Sequence, residues 1–127
     1  MNDTDIVRAL ATVMGWHSRP EQSVRRADDP NNPVWADETG YYQFHISDWR
    51  PLTNDTHIMA VVDKMVAAYP EIDFGSIYWK IEDGLPMWYA CFDNGNKVYA
   101  CNPDRKRAIA ESVLRAKGLW IEEEWEG

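Results

Sequence analysis

Three histidines, His17, His45 and His57, are the residues best suited by type to proton transfer or metal binding. They are far apart in the chain, and none sits in an HExxH or similar ligand spacing, so the pattern does not describe a metal centre. His57 has carboxylates nearby in sequence at Asp48 and Asp55, and an imidazole beside a carboxylate can act as a general base. Ser47, Ser76 and Ser112 lack the GxSxG context of an activated serine. The glycines form neither GxGxxG nor GxxxxGK, so no phosphate loop is visible. Asp28/Asp29 and Glu82/Asp83 fall in a loop and a turn, where carboxylates are solvated; glycosidase-like chemistry needs two acids set across a cleft.

The stretch WRPLTNDTHIMAVVDKM (49–65) decides between chemistry and architecture. Thr53 or Asn54 can cap a helix, and Asp55 then sits at the positive end of its dipole. Ile58, Met59, Val62, Met65, Val66 and Tyr69 follow at helical spacing, and Pro70 ends the run. Every polar residue of the cluster except His57 thereby acquires a backbone role, and His57 reads as a solvent-facing residue of the first turn. The expectation is a helix start, with no catalytic residue, metal or cofactor. A small hydrolase using His57 with Asp48 or Asp55 is the alternative.

The elements around that helix follow from the same signals. Ile6, Leu10, Val13 and Met14 predict a helix over 3–14, stopped by Gly15. HSRPEQSVRRADDPNNP (17–33) reads as a polar loop. VWADETGYYQFHIS predicts a hairpin about Glu38–Gly40, with Tyr42, Phe44 and Ile46 on one face. Ser76–Glu82 and Pro86–Phe92 read as strands joined by Asp83-Gly84, and Lys97–Cys101 as another after Asn94-Gly95. A tight two-residue turn there sets Cys91 opposite Val98 and Cys101 opposite Trp88, with the thiols on opposite faces. A register shifted by one makes them diagonal neighbours, too far apart to bond. Both cysteines are expected to be reduced and buried. The central strand is apolar on both faces, which predicts cover on both sides.

Asn102 and Pro103 suit the cap and first position of a last helix, with Ala108, Ile109, Val113 and Leu114 inward and Gly118 as its stop. The order is αββαβββα. It predicts an α+β domain over 1–118, an antiparallel sheet of about four to five strands flanked by three helices, followed by an acidic tail over 119–127.

The chain has 127 residues and a net charge of −8, which excludes a non-specific nucleic-acid binder, because phosphate contacts need clustered cations. No apolar run is long enough to span a bilayer, and MNDTDIVRALATVMGW lacks the basic start of a signal peptide, so a cytoplasmic protein is expected. Seven tryptophans fit a tight core or an adhesive surface.

Candidate contact residues come from local conflicts. Arg105, Lys106 and Arg107 crowd the first turn of the last helix, where the dipole disfavours cations. Pairing with Asp104 or Glu111 is the competing reading. Arg25 and Arg26 with Trp35 form a second cluster, of residue types that anchor interfaces. The tail contributes Trp120, Glu122, Glu123, Glu124 and Trp125, either docked on the sheet as an edge strand or engaged with a partner.

MGW (14–16), VWADETGYYQF (34–44), the proline and threonine before VVDKM (61–65), and PDRKRAIAESVLRAKG (103–118) together resemble the phage ABA-sandwich domain family across residues 1–118. Asn54 stands where that pattern has an acidic cap and Met59 where it has a large aromatic; neither change disturbs the architecture. These motifs mark a fold and transfer no catalytic residue. The resemblance implies a small phage or prophage accessory protein in the bacterial host cytoplasm. By association with compact acidic phage proteins, it is expected to bind a host protein or ribonucleoprotein, including defence complexes such as CRISPR effectors, as a monomer or homodimer. A binder of nucleotide signals is the alternative, with Trp and Tyr stacking on a base and the arginine clusters holding phosphate.

Overall fold

The computed structural model describes residues 1–19, 34–36, 42–45 and 48–122. Helix α1 (Asp3–Val13) begins where the Asn2 side chain accepts the Asp5 N–H, and it ends at Gly15, whose φ of +82° an L side chain rarely adopts. Helix α2 (Asp55–Ala68) is capped by Asn54, which accepts the His57 N–H. It buries Ile58, Val61, Val62 and Met65, whereas Met59 and Val66, expected on the apolar stripe, face solvent. Helix α3 (Arg105–Ala116) starts two residues later than its sequence suggests. Asp104 is the cap, accepting from the backbone N–H groups of Lys106 and Arg107, while the Asn102 side chain accepts the Asp104 N–H and shapes the approach.

Among the described residues, the strands form two three-stranded antiparallel sheets, where the sequence suggested one sheet of about four to five strands. In the first, β1 (His17–Arg19) pairs with β2 (Val34–Ala36), and β2 with β3 (Tyr42–His45). Strand β1 lies in the segment read as a loop: three polar residues carry no apolar alternation, and only pairing makes them a strand. Trp35 lies opposite Phe44, as a hairpin requires; the expected turn at Glu38–Gly40 and Ile46 lie outside the described residues.

The second sheet has the order β4 (Asp73–Glu82), β5 (Leu85–Asp93), β6 (Lys97–Asn102). Asp83 and Gly84, with φ of +50° and +78°, make the two-residue turn between β4 and β5. Gly75 forms a bulge near the start of β4, and a Cβ there would lie 3.0 Å from the Cys91 carbonyl oxygen. Between β5 and β6, Asp93 pairs with Lys97, so the loop holds three residues, not two. The Asp93 carboxylate accepts the Gly95 N–H and the Asn94 side chain accepts the Asn96 N–H. The extra residue moves the register by one. Cys91 lies opposite Tyr99 and Cys101 opposite Tyr89, so both thiols share a face and Val98 belongs to the other, opposite Phe92. Both cysteines are unbonded; Cys91 is buried, but Cys101 is exposed.

Packing is layered. Helix α3 lies across β5 and β6, and α1 and α2 pack on α3. Seven of its residues are buried, which is what a helix covered on two sides requires. Phe92, Leu10, Ile58, Met65, Ile109 and Leu114 fill the core between the layers. Polar side chains tie the layers together: Ser112 Oγ donates to the Val98 carbonyl, Asn94 Nδ2 to that of Ala116, Tyr69 OH to that of Val13, and Trp49 Nε1 to that of Val7. The helices therefore cover one face of the second sheet. The other face, expected to be covered as well, carries Tyr78 and Tyr99 at 41% and 51% exposure.

Candidate functional site

The imidazole of His57 braces the start of α2. Its Nδ1 accepts the Arg50 N–H at 2.9 Å, and its ring stacks on Trp49 at 5.1 Å. Burial lowers its pKa, the Arg50 charge lowers it further, and Asp48 opposes the change. His57 is therefore no freely solvated residue of the first turn. Asp55, its suggested catalytic partner, is engaged by α3: Arg105 donates to it at 2.5 Å and Lys106 lies at 3.2 Å. These two cations hold its carboxyl below the usual range. Among the described residues, no group of three or more His, Cys, Asp or Glu side chains is placed to hold a metal ion.

The cationic turn of α3 has the same explanation. Arg105 and Lys106 reach Asp55 in the first turn of α2, and Arg107 reaches Asp3 in the first turn of α1. The partners are not Asp104 or Glu111. Acids at two helix N-termini, favourable there, compensate cations that are unfavourable at a third. Arg105 also lies over the Trp88 ring, 5.6 Å from its centroid. These three residues thus come together as a clamp between helices.

Trp35 is buried in the core. Trp120 is half-buried, with Arg115 over its ring at 5.2 Å, and Glu122 pairs with Arg115 at 2.7 Å. Leu119 and Trp120 pack against the core, and the Met1 ammonium donates to the Ile121 carbonyl, so the start of the acidic tail docks at the end of α3 without forming a strand. Arg25, Arg26, Glu123, Glu124 and Trp125 lie outside the described residues.

The feature missed from sequence is the open face of the second sheet. Tyr78 lies directly opposite Tyr89, their rings stacked at 5.2 Å and 8°. Tyr99 lies opposite Cys91 and diagonal to Tyr89. Lys80 sits over the Tyr89 ring at 4.9 Å and pairs with Glu82 at 3.1 Å. The Glu82 carboxylate beside the Tyr89 hydroxyl raises the pKa of that hydroxyl, and Glu82 itself is lowered by Tyr89 and Lys80. The centre of this face is uncharged, with Lys80 and Glu82 towards one end and Asp93 and Lys97 at the other. The face thus carries tyrosines inside a charged rim. One sequence signal points to it: tyrosine recurs on one parity of all three strands, while Ala90, Phe92, Val98 and Ala100 occupy the other.

The β4–β5 hairpin adds exposed apolar groups near its tip, with Trp79 at 55%, Ile81 at 64% and Leu85 at 64% exposure. Among the described residues, no helix is long and apolar enough to cross a membrane. No family model, no curated protein and no solved structure matches this chain.

Proposed function

We propose that this protein acts without catalysis, as a binding protein that meets a protein partner through the open tyrosine face of β4, β5 and β6. The observation that carries this reading is the row formed by Tyr78, Tyr89 and Tyr99, its outer members exposed, on a sheet whose other face sends Ala90, Phe92 and Ala100 into the core. Exposed apolar and aromatic surface of this kind is retained where something covers it. The His57 Nδ1 is committed to the start of α2, and Asp55, one of the two carboxylates suggested for a hydrolase, to the helix clamp. Base stacking is less well served, because Tyr89 is already flanked by Tyr78 and Lys80.

A net charge of −8 favours a basic partner and speeds its encounter. With the sequence resemblance, this extends the proposal to a phage-encoded protein of the bacterial cytoplasm that occupies the nucleic-acid-binding surface of a host defence complex. The test is binding of purified defence complexes, CRISPR effectors included, to the wild-type chain and to Tyr78→Ala/Tyr99→Ala at low and high salt. The wild type should bind, more weakly as salt rises, and the double variant at least about tenfold more weakly, the effect of losing one contact hot spot. Binding indifferent to both changes would exclude this face as the contact.

A further inference from the structure

The outer edge of β4 is a second feature that the scaffold does not explain. Strand order places β4 at the border of its sheet, and among the described residues no strand pairs with its outer side. It is ten residues long. Edge strands are ordinarily blunted by charge, proline or bulges, since their free N–H and C=O groups recruit other chains. Here the bulge is confined to Gly75, and the following SIYWKI carries a single charge and no proline. Trp79 and Ile81 project from one side of this segment and Tyr78 from the other, all exposed.

We infer that β4 pairs antiparallel with β4 of a second copy, joining two three-stranded sheets into one staggered six-stranded sheet. Charge selects the second copy as the occupant. Lys80 and Glu82 point to the same face of the strand, two residues apart. A two-fold axis beside Ile81 sets Lys80 opposite Glu82 of the second copy and repeats the pair by symmetry, the two strands overlapping over residues 80–82 at the hairpin end of β4. The same register brings Ile81 against Ile81 of the second copy, on the side that Trp79 shares. The pairing does not depend on what the tyrosine face binds.

Sedimentation equilibrium over a concentration series tests this. The wild-type chain is expected to approach twice its 14.7 kDa mass as concentration rises. Ile81→Asp, which opposes two carboxylates on the axis, should remain monomeric with an unchanged circular-dichroism spectrum. Should that variant misfold, the charge swaps decide: K80E and E82K should each weaken dimerisation at least about tenfold, and K80E/E82K should restore it. Hydrogen exchange of the outward-facing amides over 79–83 should slow as dimer forms. A wild type monomeric at all concentrations overturns the inference, and so does a dimer untouched by every one of these substitutions. The tyrosine-face variant Tyr78→Ala/Tyr99→Ala should still dimerise, which separates this result from that of the partner-binding test.

Discussion

Arg107 in α3 donates to the carboxylate of Asp3 in α1 at 2.6 Å, across 104 residues of chain. With Arg105 and Lys106 on Asp55, this contact gathers the first turns of all three helices at one end of the domain. A cation is tolerated at the start of α3 because carboxylates from two other helix starts lie against it.

The clamp makes a modest, measurable contribution. The side chains of Arg107 and Asp3 are 37% and 65% exposed, so water screens the pair. A double-mutant cycle with Arg107→Ala and Asp3→Ala, read by urea unfolding, should give a coupling of at most about 1 kcal/mol, shrinking in high salt. A coupling of several kcal/mol would show that the clamp organises the helices far more strongly than its exposure allows.

His57 makes folding sensitive to mild acid. Its pKa in the folded chain lies below the ordinary 6.5 because burial and Arg50 disfavour the cation. The neutral form is therefore the one that folding favours. Its stabilising effect is complete above the unfolded pKa and is lost as pH falls through the lowered folded one. The urea midpoint should decline between about pH 7 and 5, the range in which histidine titrates, and His57→Ala should flatten that part of the decline. The same substitution should cost about 0.5–1.5 kcal/mol at neutral pH, because it removes the exposed hydrogen bond from the Arg50 N–H. An imidazole titrating above 6.5 by NMR would contradict the account.

Gly75→Ala should destabilise the protein by about 1–3 kcal/mol, because the added Cβ would press on the Cys91 carbonyl oxygen and Sγ at 3.0 and 3.1 Å. The entropic advantage of alanine over glycine in the unfolded chain is smaller, about 0.4–1 kcal/mol. Thermal unfolding decides the sign, and an unchanged or raised midpoint would mean that the bulge gives way easily.

The cysteines should be distinguishable by alkylation. Cys101, opposite Tyr89, is exposed, and Cys91, opposite Tyr99, is buried. Under native conditions, a thiol reagent followed by mass spectrometry should modify Cys101 rapidly and Cys91 only on unfolding. Equal rates at both positions would argue for the two-residue turn and its other register.

Much of the architecture could be read residue by residue. Asn54, Gly15, Gly118 and the Asp83-Gly84 turn act within a few residues of themselves, so their roles as cap, stops and hairpin turn survive any tertiary arrangement. Periodicity likewise located the three helices, although α3 is capped by Asp104 because Asn102, two residues earlier, accepts the Asp104 N–H and turns the chain before it. Strand β1 gave no such sign, since HSR has neither alternation nor β-branched residues.

The candidate contact residues were far less readable. Arg105, Lys106 and Arg107 read either as a contact patch or as paired with Asp104 or Glu111, because their actual partners, Asp3 and Asp55, are distant in sequence and adjacent only after the helices pack. The tyrosine face was hidden for a related reason. Strand side chains alternate with a period of two, so one extra residue in the Asn94–Asn96 loop exchanged the faces of β6, and either loop satisfies the local turn chemistry. The amino-acid order determined where helices begin, end and turn their apolar stripes, since those are short-range matters of hydrogen bonding and backbone dihedrals. Which face of the sheet the helices cover, and which side chains are thereby left to solvent, was decided by long-range packing of α3 between the sheet and its two neighbours.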